Sequence, residues 1–297
     1  MKFRDLMEYV PARAFEAGLG SLPAPVADRL GFGAGDAARR FGVRRELVER
    51  QIGEAFPERS EDWIRETTRA CYRHFGREIA AIARLGRTGA ERLFRGVKLG
   101  EQTVAWHNEV TEGRGSIIVT GHVGNWEVAG ALLAAAGLPM AAVVKRQRNP
   151  AFDERLLETR RRVGIEPIYM QDANTRIPQA LREGKTVALV ADQDAGRRGV
   201  FVPFLGRPAS TFRGPARLAL SQNVPLFFGA AVRVNAGYGS VLELVDVPPP
   251  GDGQEVEFTR RWVAHLEALI RLHPEQYFWF HRSWKTRPAG TTSPEGR

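Results

Sequence analysis

Cysteine and long apolar runs are nearly absent from this sequence. Cys71 is the only cysteine among 297 residues, so no disulfide can form within the chain and cytosolic placement is permitted. The run closest to the roughly 20 apolar residues of a membrane-spanning helix, VAGALLAAAGLPMAAVV, is divided by Gly137 and Pro139 into a helix and a strand. Charges interrupt the N-terminal stretch throughout, which is not typical of a signal peptide. We therefore expect no transmembrane helix.

Several catalytic motifs are also missing. The chain has no G-x-S-x-G nucleophile elbow, H-E-x-x-H sequence, cysteine–histidine cluster or Walker-type phosphate loop. Acyl-serine, zinc-hydrolase and P-loop chemistries therefore lack their parts, and we expect neither a metal nor a cofactor. The remaining route for a group transfer is direct attack, with donor and acceptor bound together.

Lysine is scarce, whereas arginine is abundant. Only five of the 43 Lys and Arg residues are lysine, the formal net charge is +9 and the sequence pI is about 10.2. This charge indicates an anionic partner, which is nucleic acid, a phospholipid surface or an acidic substrate. The arginine excess has two interpretations: a coding bias, or the use of guanidinium groups to bind phosphates.

Helical patterns dominate the first part of the chain. Residues 1–112 are predicted to be helical, and Ser60, followed by two acidic residues, is predicted to cap one helix. The first of these helices has apolar side chains at helical spacing with basic residues among them. It either lies flat on a bilayer or packs on the rest of its own domain.

Short β-branched runs alternate with helical segments after Gly113. SIIVT, AAVV, EPIYM and TVALVA are predicted strands separated by helices, and PLFFGAAVRV and GSVLELVDV follow before a last helix. Alternation of this kind indicates crossover connections and a parallel, buried sheet. The predicted fold class is α/β, with a mostly parallel central sheet flanked by helices. A helical N-terminal region, residues 1–112, is expected to pack on the same domain as the α/β part, residues 113–297.

A histidine and a glutamate follow the first predicted strand. In SIIVTGHVGNWEVAG the strand ends near Thr120, two glycines allow a tight turn, and Asn125 is suited to cap the next helix. His122 then lies in the turn and Glu127 in the first helical turn, at the sheet edge where open α/β sheets bind ligands. A carboxylate bonded to one ring nitrogen stabilises the imidazolium that forms when the other nitrogen takes a proton. His122 is therefore a candidate general base, and Glu127 is its candidate orienting partner.

A base of this kind suits the activation of a hydroxyl group. A positioned base contributes roughly 10²–10⁴ in rate, and the complementary need is a donor for the oxyanion of an acyl transfer. Backbone N–H groups near Trp126, or an arginine, are candidates for that role. A histidine close to an acidic residue is not diagnostic by itself, because His74 and Glu78 stand one turn apart within an apparent helix. We interpret that pair as ordinary surface or packing residues.

A second polar segment follows the strand TVALVA. In DQDAGRRGVFVPFLGRPAST the chain presents Asp192, Gln193 and Asp194, passes a glycine–arginine turn and enters a helix near Thr211. If the strands are parallel, this segment lies at the same sheet edge as His122.

Taken together, the two segments resemble the bacterial lipid A biosynthesis acyltransferase family, within the wider lysophospholipid acyltransferase superfamily with its His-x4-Asp/Glu motif. Five ordered segments carry the resemblance over most of the chain: EAFPERS, GHVGNWE, VVKRQRNPAFDERLLETRRRVG, DQDAGRRGVFVPFLGRPAST and PEQYFWFHRSWKTRP. The place about 70 residues beyond His122, where glycerol-phosphate acyltransferases have FPEGTRS, holds Asp192 instead. This difference from the glycerol-phosphate acyltransferases favours a glycolipid acceptor over lysophosphatidic acid.

The resemblance implies an acyltransferase. A fatty acyl group would pass from acyl carrier protein or coenzyme A, as a thioester co-substrate, to a hydroxyl of a membrane glycolipid, most simply a lipid A precursor. His122 and Glu127 would be catalytic. Two alternatives stay open: another lipid acceptor, such as a lysophospholipid, a phosphoinositide mannoside or an aminolipid, or a basic nucleic-acid-binding module. The chain lacks a nucleic-acid motif, and we expect no nucleic-acid partner.

Further polar residues are candidates for substrate binding. By resemblance, Arg146, Arg160 and Arg162 would bind phosphates of the acceptor or of the carrier's phosphopantetheine, and a solvated helix face is the alternative for the last two. The remaining candidates are the acidic and polar residues of the second segment and an arginine in its turn: Asp192, Gln193, Asp194 and Arg197. Asp192 and Asp194 would either hold acceptor hydroxyls or order the arginine turn.

The closing run interleaves aromatic and basic residues. Tyr277, Trp279 and Trp284 alternate with cations in PEQYFWFHRSWKTRP. Such a mixture suits an anionic membrane surface, single-stranded nucleic acid, or a core filled by alternate aromatics. Since family members usually begin with a strongly hydrophobic anchor and this chain begins with a charged amphipathic segment, we expect peripheral attachment to the cytoplasmic face of the bacterial inner membrane.

Overall fold

The N-terminal region is helical, as predicted, over the residues that the structure describes; residues 1–2 and 90–100 of the predicted region lie outside them. The computed structural model describes residues 3–89, 101–235 and 237–288. Ser60 caps its helix as expected, because its Oγ accepts a hydrogen bond from the Trp63 N–H at 3.2 Å. The α-helices of the described residues are α1 (Phe3–Ser21), α2 (Ala24–Arg40), α3 (Arg45–Ala55), α4 (Glu61–Thr88), α5 (Glu101–Thr111), α6 (Trp126–Ala135), α7 (Pro150–Arg162), α8 (Ala173–Arg182), α9 (Gly214–Gln222) and α10 (Gln254–Leu272).

The predicted α/β class with a mostly parallel sheet is confirmed. Six strands form one sheet in the order β3-β2-β4-β1-β7-β8, in which only β8 runs antiparallel to its neighbour. β1 and β4 lie near the centre of this sheet, so their C-terminal ends meet at the same edge. The strands of the described residues are β1 (Ser116–Thr120), β2 (Met140–Val144), β3 (Ile165–Tyr169), β4 (Thr186–Val190), β5 (Val200–Phe204), β6 (Arg207–Thr211), β7 (Leu226–Val234) and β8 (Gly237–Leu244).

Both faces of the sheet are covered. Alternate residues of β1 point in opposite directions, as strand geometry requires: Ile117 and Val119 join the core beneath α10, whereas Ile118 joins the core beneath α6. Every residue of β1 is buried, which explains why its three central residues, Ile117, Ile118 and Val119, are all apolar.

The helical N-terminal region packs against the α/β part. α1 contacts both α4 and α7. In the contact with α7, the rings of Tyr9 and Phe152 pack edge-on with their centres 5.3 Å apart, and Arg155 donates a hydrogen bond to Glu16. These contacts favour the packing interpretation of the first helix over one in which it lies free on a bilayer. Across the described segments, no helix is long and apolar enough to cross a membrane. The predicted boundary near residue 112 stays a prediction.

A hairpin replaces part of the connection that we expected to be a turn. β5 and β6 pair antiparallel, with Pro203 opposite Pro208, and the tip residues Leu205 and Gly206 both have positive φ. Consequently Thr211 ends a strand, and the helix that we expected near it begins three residues later at Gly214. The closing run then returns to the turn that follows β1, where Tyr277 bridges antiparallel to Val123.

Candidate active site

Strand register brings His122 and Asp192 together. Thr120 of β1 pairs with Val190 of β4, and the Ala191 N–H donates to the Thr120 carbonyl at 3.0 Å. His122 and Asp192 each lie two residues beyond these strand ends. They are consequently neighbours, although 70 positions separate them in the sequence.

Asp192 holds His122 through two hydrogen bonds. The ring Nδ1 of His122 lies 2.6 Å from Asp192 Oδ1, and the backbone N–H of His122 donates to Oδ2 at 2.7 Å. The Asp192 side chain is only 1% exposed, whereas the imidazole is partly accessible. This arrangement fixes the ring and leaves Nε2 as the accessible nitrogen.

The structure corrects the predicted role of Glu127. The carboxylate of Glu127 accepts two hydrogen bonds from Arg160, one from Nη2 and one from Nε at 3.2 Å. It does not contact the His122 ring nitrogen that we expected it to orient, because Asp192 occupies that position. Glu127 still lies close enough for its charge to favour protonation of His122.

The environment of His122 changes its pKa in two opposing ways. Burial lowers the pKa of the imidazole, but the charge and hydrogen bond of Asp192 outweigh it, so the pKa is raised above its ordinary value. Burial raises the pKa of Asp192, and the positive charge and hydrogen bonds of His122 outweigh this, so the pKa of that carboxyl is lowered. The pair is therefore built to stabilise an imidazolium beside a carboxylate.

Gln193 and His281 face the accessible side of His122. The amide nitrogen of Gln193 lies 2.8 Å from His281 Nε2 and 3.4 Å from His122 Nε2. Burial and the neighbouring His122 lower the pKa of His281 to about 4, so its ring is neutral at physiological pH and accepts from the amide. With Nδ1–H of His122 directed at Asp192, the free lone pair lies on Nε2, which is the arrangement that a general base needs.

The remaining predicted residues have mostly structural roles. Arg146 stacks on Tyr169, with the guanidinium carbon 4.2 Å from the ring centre. Arg162 donates to the Gly86 carbonyl at the end of α4. These two arginines do not line the site, so the predicted phosphate contacts have no support from their positions.

The acidic segment is also divided in its roles. Asp194 accepts hydrogen bonds from the N–H and hydroxyl of Thr286, each at 2.7 Å, and from the Gly196 N–H. It orders the loop and ties the closing run to it, which is the second of the two roles expected for it. Arg197 is exposed in the turn, while Asp192 and Gln193 belong to the site.

An apolar cavity of about 350 Å³ opens beside His122. It runs between the sheet and α6, with His122, Glu127 and Arg160 at its mouth. Ala142 and Ala188 pair across β2 and β4, and Ile118 continues that layer on β1. Small side chains on the strands thus leave room for a long apolar group that ends at His122. Over the part of the chain that the structure describes, no group of three His, Cys, Asp or Glu side chains is arranged to hold a metal ion.

The closing run forms one wall of the site. The Phe278 N–H donates to the His122 carbonyl at 2.9 Å, and its ring lies 6.0 Å from the imidazole. Tyr277, Trp279 and Trp284 are buried. Their burial confirms the interpretation that alternate aromatics fill the core, and it leaves these rings unable to stack on nucleic-acid bases.

Comparison with known proteins gives the class of reaction. A sequence model of the bacterial lipid A biosynthesis acyltransferase family matches residues 10–286. The chain belongs to this family. The resemblance based on the five ordered segments is thereby confirmed, and the protein is an acyltransferase.

Relatives of this acyltransferase act on more than one lipid class. It is 30% identical to the lipid A biosynthesis lauroyltransferase of Escherichia coli strain K12, over 92% of this chain and 89% of that protein. It is 29% identical to the phosphatidylinositol mannoside acyltransferase of Mycolicibacterium smegmatis, over 86% of this chain and 83% of that protein. The lipid A biosynthesis myristoyltransferase of Escherichia coli is 27% identical over 92% of this chain and 84% of that protein.

Sequence reasoning missed the orienting role of Asp192 and the placement of His281 in this acyltransferase. The signal for the first was present in part: Asp192 comes directly after the predicted strand TVALVA, and in the structure it lies two residues beyond β4, as His122 lies two residues beyond β1. The signal for the second was weaker, because the closing run has no regular pattern that would direct one particular side chain toward His122.

Proposed function

We propose that this acyltransferase moves a fatty acyl group from a thioester donor to a hydroxyl group of a membrane glycolipid, with a lipid A precursor as the first candidate. The observation that carries the proposal is the His122–Asp192 pair at the mouth of an apolar cavity. A general base at the end of an acyl-sized cavity places a hydroxyl group against the carbonyl of a bound acyl chain.

The transfer is a direct substitution at the thioester carbonyl. His122 Nε2 takes the proton of the acceptor hydroxyl as the oxygen forms a bond to the acyl carbon. The carbon–sulfur bond then breaks, and the leaving thiolate receives that proton from the imidazolium. Asp192 stabilises the imidazolium between the two proton transfers, and the products are an ester and a free thiol.

Arg160 is placed to stabilise the charge that develops on the carbonyl oxygen. Its guanidinium lies at the cavity mouth and is held there by the paired bonds to Glu127. The first turn of α6 begins at Trp126 beside the His122 ring and adds the positive end of a helix dipole. Glu127 in this scheme positions Arg160, and it acts on the reaction through that arginine.

The names of the relatives support a glycolipid as the acceptor. Those named above act, according to their names, in lipid A biosynthesis or on phosphatidylinositol mannoside. Both acceptors are glycolipids with sugar hydroxyls, and the two identities, 30% and 29%, are nearly equal. A lipid A precursor is the first candidate and a phosphatidylinositol mannoside the second, while acyl carrier protein or coenzyme A supplies the thioester.

We also infer that the protein works at the cytoplasmic face of the bacterial inner membrane. Acyl thioesters are made in the cytoplasm, and a net charge of +9 favours binding to anionic lipid headgroups. The membrane would hold the acceptor, and the thioester would arrive from the aqueous side.

The proposal is tested with purified protein, mixed micelles and a labelled acyl thioester. We expect His122→Ala to lower kcat by roughly 10²–10⁴ because the base is lost, with a circular dichroism spectrum like that of the wild type. His265→Ala is the matched control, since His265 lies on α10 away from the site and pairs with Glu243. Acyl transfer at the wild-type rate by His122→Ala would overturn the mechanism.

The acceptor is tested by lipid profiling of a deletion strain. Loss of one acyl chain from a lipid A precursor, with unchanged phospholipids, is the expected result. A change confined to phosphatidylinositol mannosides would select the second acceptor, and a change confined to lysophospholipids would refute a glycolipid acceptor.

A further inference from the structure

A second apolar cavity, of about 490 Å³, lies between α2, α4 and the closing run. Its lining is apolar apart from one arginine and the hydroxyl of one tyrosine, and it shares no residue with the cavity beside α6. The residues that line it are Ala34, Gly35, Ala38, Val43, Arg44, Tyr72, Phe75, Gly76, Ile79, Phe278 and Phe280.

Small residues at a close helix crossing create this space. A side chain on Gly76 would collide with the Gly31 carbonyl, and one on Gly35 would collide with the Tyr72 carbonyl, so the backbones of α2 and α4 touch there. Beside this contact, the small side chain of Ala34 lines the cavity and is exposed to solvent. Since the helices are in direct contact, the cavity belongs to the resting fold and does not need an opening motion.

The mouth of the cavity is apolar and exposed, with one cation beside it. Val43 is 53% and Ile79 is 57% exposed at its rim, and the neighbouring Phe41 is 86% exposed. The guanidinium of Arg44 lines the same mouth and donates to the Phe280 carbonyl at 2.7 Å. An opening of this composition suits an amphiphile whose chain enters the cavity while an anionic headgroup stays near the arginine.

One aromatic ring lies between this cavity and His122. Phe278 contacts Phe75 inside the cavity, with ring centres 4.9 Å apart, and it also contacts His122 at 6.0 Å. Its backbone is bonded to the His122 carbonyl. The catalytic histidine therefore lies between two separate apolar cavities, one beside α6 and one beside α4.

From this arrangement we propose that the second cavity holds an acyl chain of the acceptor lipid. The cavity beside α6 receives the acyl chain of the donor, and a chain held beside Phe278 presents the attached headgroup hydroxyl to His122. The assignment rests on the proposed acyl transfer to a lipid, and it adds a second lipid-chain site to it. Its ligand is the hydrocarbon chain of an anionic glycolipid, for which the lysophospholipid used below is a single-chain probe.

Photo-crosslinking tests this site without any acyl transfer. The probe is a lysophosphatidylglycerol with a diazirine in its single chain, used below its critical micelle concentration. We expect labelled peptides from α2 and α4 in the wild type. Ala34→Trp, which adds a large ring to the lining of the cavity, is expected to reduce that labelling about tenfold, while labelling beside α6 stays unchanged.

Gly33→Trp is the matched control. Gly33 is exposed on α2, a side chain there meets open space, and it does not line the cavity. The same ring is therefore added to the same helix outside the cavity, and labelling should be retained. Equal labelling in the two variants, or no labelling of α2 and α4 in the wild type, would overturn the site.

Kinetics and vesicle binding separate this site from simple membrane attachment. We expect Ala34→Trp to raise the KM for the lipid acceptor with little change in the KM for the thioester, while both tryptophan variants bind anionic vesicles like the wild type. A loss of vesicle binding with an unchanged acceptor KM would refute the proposal. If Ala34→Trp does not fold, Ile79→Trp narrows the cavity from the exposed rim of α4 and gives the same readouts. If the purified protein transfers no acyl group to any lipid, the crosslinking result still decides whether the chain site exists.

Discussion

At the scale of single residues, the proposed chemistry depends on which carboxylate faces His122. Sequence spacing showed a histidine and a glutamate in one short segment, and it correctly placed them at the C-terminal edge of β1. It gave the wrong partner because the start of α6 directs Glu127 toward Arg160, and because Asp192 arrives from β4. Local spacing does not contain the pairing of two distant strands, and that pairing determines the contact.

The pH profile of the reaction reports this contact. The imidazole acts as a base only when it is neutral, so kcat/KM should fall with a slope of one as His122 becomes protonated at low pH. Because Asp192 raises the pKa of His122, we expect the midpoint above the ordinary histidine value of about 6.5. In Asp192→Asn the burial remains and the charge is lost, so the midpoint should move downward and the plateau should fall by roughly 10²–10⁴.

Asp194→Asn is the control for the profile. Asp194 lies in the same loop but accepts a hydrogen bond from Thr286 instead of from His122. The Asp194→Asn variant should therefore have the same midpoint of the kcat/KM profile as the wild type. A midpoint that is the same in the wild type and in Asp192→Asn would show that the observed ionisation is not that of His122.

The Glu127–Arg160 pair is tested by a double-mutant cycle. If Glu127 acts by holding Arg160, Glu127→Gln and Arg160→Gln each lower kcat, and the double variant is little worse than the poorer single one. The coupling energy from kcat/KM should then be about 1–3 kcal/mol. Arg161→Gln serves as the control, since Arg161 pairs with Glu154 on the exposed side of α7. Strictly additive losses would mean that the two side chains act independently.

At the scale of elements, the sequence predicted the sheet better than the connections. The strands of the main sheet were recognised because buried parallel strands are continuous apolar runs, and the caps at Ser60 and Asn125 had clear local signals. The β5–β6 hairpin was missed because Pro203 and Pro208 argue against strands. The two prolines oppose each other in a two-stranded sheet, where the ladder hydrogen bonds that they lack are few.

The strand layer below His122 should control which acyl chains are accepted. Ala142 of β2 lines the cavity beside α6, and Ala142→Leu adds three carbon atoms to that wall. We expect the preferred donor to become shorter by about three carbons, because the added volume replaces the end of the bound chain. The measurement is the product distribution from a mixture of thioesters of different lengths.

Ala135→Leu is the control for this change. Ala135 is exposed at the end of α6 and lies outside the cavity, so its product distribution should match the wild type. An unchanged distribution in Ala142→Leu would show that the acyl chain does not lie beneath α6.

At the scale of the whole molecule, a buried ionic cluster joins the N-terminal helices to the sheet. Glu78 of α4 accepts hydrogen bonds from Asn125, Arg233 and Tyr238, and it is only 2% exposed. His74, also buried, lies beside it. The sequence offered surface or packing roles for His74 and Glu78, and the surface role is wrong because both are in the interior. The cluster supports the cap of α6, and with it the turn that carries His122.

Loss of this cluster should destabilise the whole protein. Glu78→Gln keeps the shape of the side chain but leaves the buried charge of Arg233 poorly compensated, since its other carboxylate partner, Asp28, lies at 3.4 Å. We expect the free energy of unfolding in urea to fall by about 3 kcal/mol. Glu49→Gln breaks an exposed pair with Arg45 and should cost less than about 1 kcal/mol. Similar losses in the two variants would contradict a structural role for the buried cluster.

The matched distances of His122 and Asp192 from their strand ends also limit where the chain can change its length. One residue inserted between Val190 and Asp192 would shift the carboxylate by one position along the chain. Because side chains alternate between the two faces of a sheet, the carboxylate would then point to the face opposite to that of His122. A deletion after Thr120 would do the same to the imidazole. Insertions and deletions that preserve the His122–Asp192 contact must therefore fall outside these two short turns, for example in the exposed loop around Gly251, where the chain length can vary without moving either side chain.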